Sequence, residues 1–350
     1  MKFAQYLSEQ LYCHPAMQPQ DVVKLCYQAA YGVEHLMVDS DAAWAFLNRE
    51  YVAIEPENVP LTEPICDQFC RINLAQWKRR GFPLLWLFRM FELSAAVESN
   101  GAEAFAEYLQ TVEALTAQSY TGFSLTQWQT YLEMYKETGM GPVHHSTQYR
   151  VQEKPAYRIV ANRYARLLPI LEQVVPRYRQ EGRQCVIAID GRAAAGKSTM
   201  ADDLRKIIGA DVIHMDDFFL PTDLRTEQRM TQPGGNVHYE RFAEEVLPFI
   251  SLPEGFSYRR FDCGKMDFDG KCEIGNAPIR IVEGAYSLHP SLNSYADISV
   301  FLNIDPENQM QRIFRRNGCR MAEIFRTKWI PLEEQYIAQC AVPQRADIVL

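Results

Sequence analysis

The feature that most restricts how this chain can fold is the run IAIDGRAAAGKSTM, residues 187–200. An apolar stretch, CVIAID, leads into Gly191, and after four intervening residues come Gly196, Lys197 and Ser198. The helix-forming segment STMADDLRKIIG then follows. A strand that turns through spaced glycines into a helix aims backbone N–H groups and a helix N-terminus at one point, which is how a loop holds phosphate. The loop is therefore read as Gly191, Arg192, Ala193, Ala194, Ala195, Gly196, Lys197, Ser198 and Thr199. In it the glycines allow close backbone approach, Lys197 reaches the β- and γ-phosphates, and the Ser198 hydroxyl ligates Mg²⁺. Thr199 supports the helix start.

The surrounding texture agrees. After Arg183 short apolar runs (CVIAID, DVIHM, IRIVEGAY, ISVFLNI, ADIVL) alternate with helical segments, which argues for a parallel sheet covered by helices over 183–350. Residues 1–150 instead carry apolar positions at helical spacing, as in DVVKLCYQAAYGVEHLMV and AEAFAEYLQTVEALTAQ, and read as a helical domain. Between them, residues 151–182 are expected to form a helical linker interrupted near Pro169 and Pro176.

Composition narrows the classes. A 350-residue chain with 47% hydrophobic and 23% charged residues can bury two cores, and its net charge of −8 gives no electrostatic footprint for nucleic acid. The most apolar stretch, FPLLWLFRMF, is too short to span a bilayer, and the first residues lack the pattern of a signal peptide, so a cytoplasmic protein with no membrane partner is expected. Nine cysteines without a CxxC pair suit reduced thiols.

The strand after the loop ends in HMDDFFLP and places Asp216 and Asp217 at the carboxyl edge of the sheet, where open α/β folds build their sites. One carboxylate there can take the proton of an attacking hydroxyl while the other helps position magnesium. Glu283 ends IRIVE, where a buried carboxylate needs a cation or donor to offset its burial. In FLNIDPENQMQRIFRRNG, Arg312 and Arg316 are four apart and share a helix face, with Arg315 off that line.

The order GRAAAGKST, HMDDFFLP, QPGGNVHYERF, IVEGAYSLHP and then an arginine-bearing helix resembles the uridine kinase and phosphoribulokinase branch of phosphate-loop kinases over about residues 183–350. The resemblance implies an α/β P-loop kinase domain, here preceded by the mainly α-helical domain that the periodicity of residues 1–150 indicates. It implies ATP and Mg²⁺ as cofactors, and a small-molecule substrate carrying a hydroxyl, with a nucleoside first and another hydroxylated metabolite as the alternative. It also implies Asp216 as catalytic base, Lys197, Arg312 and Arg316 as further catalytic groups, and Ser198, Asp217 and Glu283 around the metal. Asn236, His238, Arg260 and Asp262 follow as acceptor contacts. The chain departs from typical uridine kinases in lacking a clear match to the tyrosine and histidine that grip a pyrimidine, and in its helical first half.

That half resembles no family of known activity. Its polar clusters, Glu34, His35 and Asp39 in YGVEHLMVD and His144 and His145 in PVHHSTQYR, are candidates for a metal or acid–base site, although no HExxH-like pair is present. Three roles stay open for it: covering the acceptor pocket, homo-oligomerisation, or a second activity. A different class of function, a nucleotide-dependent switch that engages a partner through the helical half, also stays open.

Overall fold

The computed structural model describes residues 3–33, 37, 39–98, 101–178 and 183–350, and the chain divides into two compact units, 1–168 and 169–350. The expected Glu34 and His35 lie outside the described residues.

The first unit is mainly helical, as its 3.6-residue periodicity requires. Helices Pro19–Tyr31 and Gly101–Ala117 pack on each other, and Trp77, Trp86 and Trp128 are wholly buried. Within it stands a small antiparallel sheet that helical patterning did not foretell: β1 (Thr62–Pro64), β2 (Phe69–Asn73) and β3 (Tyr157–Ala161), in that spatial order. Its strands are three to five residues long, too short to show a period of two. The segment 151–182 is therefore not one helical linker. Its early part supplies β3, paired residue for residue with β2, and its later part forms helix Leu168–Tyr178. Pro169 lies in the first turn of that helix, where a missing N–H costs nothing, and Pro176 lies near its end.

The second unit is built on a five-stranded parallel sheet. Its strands are β4 (Cys185–Gly191), β5 (Asp211–His214), β8 (Ile279–Glu283), β9 (Ile298–Leu302) and β10 (Ile348–Val349), in the order β10-β9-β4-β8-β5. β4 is central. Val186, Ile187, Ala188 and Ile189 are all fully buried, which accounts for the unbroken apolar run, since a strand covered on both faces has no polar side to alternate. Each of the larger side chains contributes about 1.5–3 kcal/mol of burial. A separate hairpin, β6 (Phe256–Asp262) and β7 (Asp267–Ile274), completes the unit. All nine cysteines are free thiols. Among the described residues no helix is long and apolar enough to cross a membrane.

Gly191, the last residue of β4, pairs with Leu302 of β9 and has φ +147°. A Cβ there would lie 2.3 Å from the Leu302 carbonyl oxygen, and backbone within a packed sheet cannot yield. Gly191→Ala is expected to lower stability by about 2 kcal/mol or more, read as a shift in the urea midpoint. An unchanged midpoint would show that the β4–β9 register is not as tight as described.

Candidate active site

The chain leaves β4 through Gly191, turns with Ala194 at φ +58° and Gly196 at φ +101°, and enters helix Lys197–Leu204 with Gly196 as its N-cap. The first N–H groups of this helix have no intrahelical acceptor and open toward a cleft of about 630 Å³. Strand, loop and helix at the centre of a parallel sheet define a phosphate-loop α/β fold.

The loop is braced from behind. Asp190 is almost fully buried, and its Oδ1 accepts from the N–H of Gly191 (2.7 Å) and Tyr286 (3.1 Å), while Oδ2 accepts from Leu288 N–H (3.0 Å) and Tyr336 O–H (2.7 Å). Arg192 makes a paired contact with Glu334, at 2.6 and 2.9 Å, and donates to Asn303. The carboxylate of Glu333 accepts from Ala193 N–H at 2.7 Å. Lys197 Nζ donates to the carbonyls of Gly191 (2.6 Å) and Arg192 (3.0 Å), which holds the ammonium over the loop.

At the mouth of the cleft Ser198 Oγ donates to Glu283 Oε2 at 3.0 Å, and Glu283 Oε1 meets His214 Nδ1 at 2.6 Å. That hydrogen bond to Glu283 raises His214 above the usual imidazole range. Asp216 lines the same cleft, where enclosure by protein and the nearby Glu283 charge raise its carboxyl against the opposing pull of Lys197 and His214. Ser198 Oγ and Glu283 Oε2, 3.0 Å apart, are two hard oxygens that can hold a cation together with phosphate and water.

Arg312 and Arg316 both line the cleft, and Arg312 Nη1 donates to the Ala194 carbonyl at 3.2 Å. Helix Pro306–Ile324, which carries them, is also tied to the loop through Gln309, whose amide donates to the Ala193 carbonyl. Asn236 is buried and lines the cleft.

Other expected residues lie elsewhere. Residues Met215–Phe218 form one 3₁₀ turn, so consecutive side chains leave in different directions. Asp217 consequently faces the β6–β7 hairpin, accepting from Tyr258 O–H (2.8 Å) and Cys272 Sγ (3.5 Å), and is not among the oxygens beside Ser198. Arg260 pairs across the hairpin with Asp269 at 3.0 Å, and Asp262 accepts from the N–H of Gly264 (2.7 Å) to hold the turn. Both serve the hairpin instead of lining the cleft. His238 precedes helix Tyr239–Glu245 as its N-cap and does not line the cleft either; burial lowers it below the usual imidazole range. Sequence reasoning passed over Arg225, Phe219, Phe325, Trp329 and Glu333, which do line it. Two aromatic residues four apart after a basic helix were the available signal for Phe325 and Trp329.

No family model matches the chain. Among solved structures, it is similar to a possible uridine kinase from Bacillus stearothermophilus, with 18% identity, 54% of this chain and 97% of that chain covered, and a TM-score of 0.40. It is also similar to a candidate fructose transport system kinase from Silicibacter sp. TM1040, with 23% identity, 54% and 98% coverage, and a TM-score of 0.44. At these values neither likeness bears on what the chain binds.

Glu333 yields a pH prediction. Burial pushes its carboxyl from 4.5 up to about 7, with Lys197 opposing. Since the folded protein holds the proton more tightly than the unfolded chain, this contribution to stability is complete below pH ~4.5 and is lost as pH rises to about 7. Glu333→Gln, which keeps an acceptor for Ala193 N–H, should exceed wild type by about 2 kcal/mol at pH 8 and match it near pH 4.5 in urea unfolding. A pH-independent difference would contradict the buried, proton-holding carboxyl.

Proposed function

We propose that the second unit is an ATP-dependent small-molecule kinase that transfers a γ-phosphoryl group to the hydroxyl of a nucleoside-like acceptor. The observation that carries this reading is the convergence in one cleft of the phosphate loop, Asp216, the Ser198–Glu283 oxygen pair, and Arg312 with Arg316. A nucleotide switch needs a phosphate cradle but no proton acceptor placed beside it.

In this reading the loop N–H groups and Lys197 hold the phosphates. Ser198 and Glu283 would hold Mg²⁺, which when bound neutralises phosphate charge. Asp216 accepts the acceptor hydroxyl's proton, and its proton affinity, raised above the ordinary aspartate range, suits that task. Arg312 and Arg316 offset charge on the transferring group. Phe219, Phe325 and Trp329 give the cleft flat apolar walls on which a nucleobase can stack, the feature that favours a nucleoside. Arg225 supports the second reading, an acceptor that carries negative charge. It lines the cleft, and its recorded hydrogen bonds go to the Leu220 carbonyl and the Met266 sulfur, not to a carboxylate.

The test is a screen of nucleosides and small hydroxylated metabolites for ATP-dependent phosphorylation, read by product mass, followed by Asp216→Asn. The variant should bind Mg-ATP within a few-fold of wild type by calorimetry and lose transfer by about 10² or more, the usual worth of a positioned general base. Normal transfer by the variant would remove Asp216 from that role. Failure of every acceptor, together with ATP-dependent capture of a protein partner, would favour the switch.

A further inference from the structure

The first unit holds a cavity of about 770 Å³, within the range that encloses a metabolite-sized ligand, and the kinase reading makes no use of it. Helix Pro19–Tyr31 forms part of its wall. This helix presents Gln20, Asp21, Lys24 and Gln28 along one side, and they grip the segment 143–146 and strand β3. Gln20 donates to the His144 carbonyl and Lys24 Nζ to the Val143 carbonyl at 3.0 Å. Asp21, fully buried, accepts from Ser146 N–H (2.9 Å), Ser146 Oγ (2.7 Å) and His145 Nδ1 (2.9 Å). Because Asp21 only accepts, His145 carries its proton on Nδ1, and Nε2 is left to accept from the Tyr157 hydroxyl at 2.7 Å. Arg71, also buried, stacks under the Tyr157 ring at 4.5 Å. Asp21, His145 and Tyr157 thus form one fixed relay whose last member, Tyr157, is on the cavity wall.

A relay of this kind would tie the helix to β3 without any ligand. Lys24 is what that account leaves over. It lines the cavity partly buried, with one protein acceptor among the described residues, the Val143 carbonyl, for three ammonium protons. It forms no ion pair among the described residues, whereas the other buried cation nearby, Arg71, has Glu63 and Gln10. Burying a cation without a counter-charge is costly. Burial and the neighbouring Arg71 accordingly push Lys24 down to about 8. Arg150 and Lys154 add positive charge to the lining, and the single carboxylate there, Glu50, is held by Arg158 at 2.8 Å. Phe46, Ile54 and Phe91 supply an apolar part.

We propose that this cavity is a second ligand site, for a small organic anion whose carboxylate or phosphate oxygens are held by Lys24, with Arg150 and Lys154 adding positive charge, while an apolar body rests on Phe46, Ile54 and Phe91. It is independent of the kinase reading, because none of its residues belongs to the phosphate-loop unit.

The test uses the full chain carrying Lys197→Ala, which weakens the phosphate loop, and measures benzoate, phenyl phosphate and uncharged benzyl alcohol by calorimetry. At least one of the two anions should bind at least tenfold more tightly than benzyl alcohol, and the tighter anion assigns the head group. Adding Lys24→Gln should weaken that anion at least tenfold. Should Lys24→Gln fail to fold, Arg150→Gln on the exposed part of the lining should weaken it by about threefold. The proposal fails if neither anion binds, if benzyl alcohol binds as well as both, or if the folded variants bind like their parent.

Discussion

The second unit depends on one buried carboxylate. Asp190 ends the apolar run of β4 and receives four hydrogen bonds, from the start of the phosphate loop, from two amides after β8, and from Tyr336 on helix Ile330–Gln339. Burial raises its carboxyl, and the four donors oppose that rise by stabilising the charged form. A group so placed fixes three segments relative to one another, because releasing any donor leaves part of a buried charge uncompensated. The loop inherits its position from this arrangement. Glu333 and Glu334, a turn before Tyr336, reach back to Ala193 and Arg192 and fasten the loop from its outer side.

This bracing has a consequence for chemistry. A phosphate loop stabilises charge only if its N–H groups are already aimed when the phosphate arrives, since reorganisation would consume the interaction. Here the aiming is done by carboxylates behind the loop, while the cations, Lys197, Arg312 and Arg316, stand on the cleft side. The cleft lining itself is mixed, with Asp216, Glu283 and Glu333 beside these cations. Glu333 does two things at once, bracing Ala193 N–H and lining the cleft.

Much of this was legible in the chain. The five strands of the parallel sheet coincide with the five apolar runs, and β4, buried along its whole length, shows as an unbroken hydrophobic stretch. The loop was legible because its backbone turns demand glycine at a fixed spacing. What escaped depends on partners far apart in sequence. Asp216 and Asp217 are adjacent and chemically alike, and only the 3₁₀ turn with Tyr258, 41 residues on, separates a cleft carboxylate from a hairpin one. Arg260 and Asp262 had the right residue types for an acceptor pocket, but the pairing of β6 with β7 turns them to Asp269 and Gly264. Asp190 looked like any strand end, since none of its distant donors announces itself locally.

The first unit repeats the lesson in a different chemistry. His145 stood out in the sequence beside His144, with Glu34, His35 and Asp39 as imagined companions. Asp39 instead caps helix Ser40–Ala53, accepting from Ala42 N–H, and His144 is exposed. The carboxylate that engages His145 is Asp21, 124 residues away, and the hydroxyl is Tyr157 on a strand too short to be recognised. Both units therefore place a buried aspartate behind a group that faces a cavity. In the second unit it orients backbone donors, and in the first it fixes an imidazole and, through it, a tyrosine. The difference lies in what stands in front: a set of cleft-lining cations in one, and a single under-partnered lysine in the other.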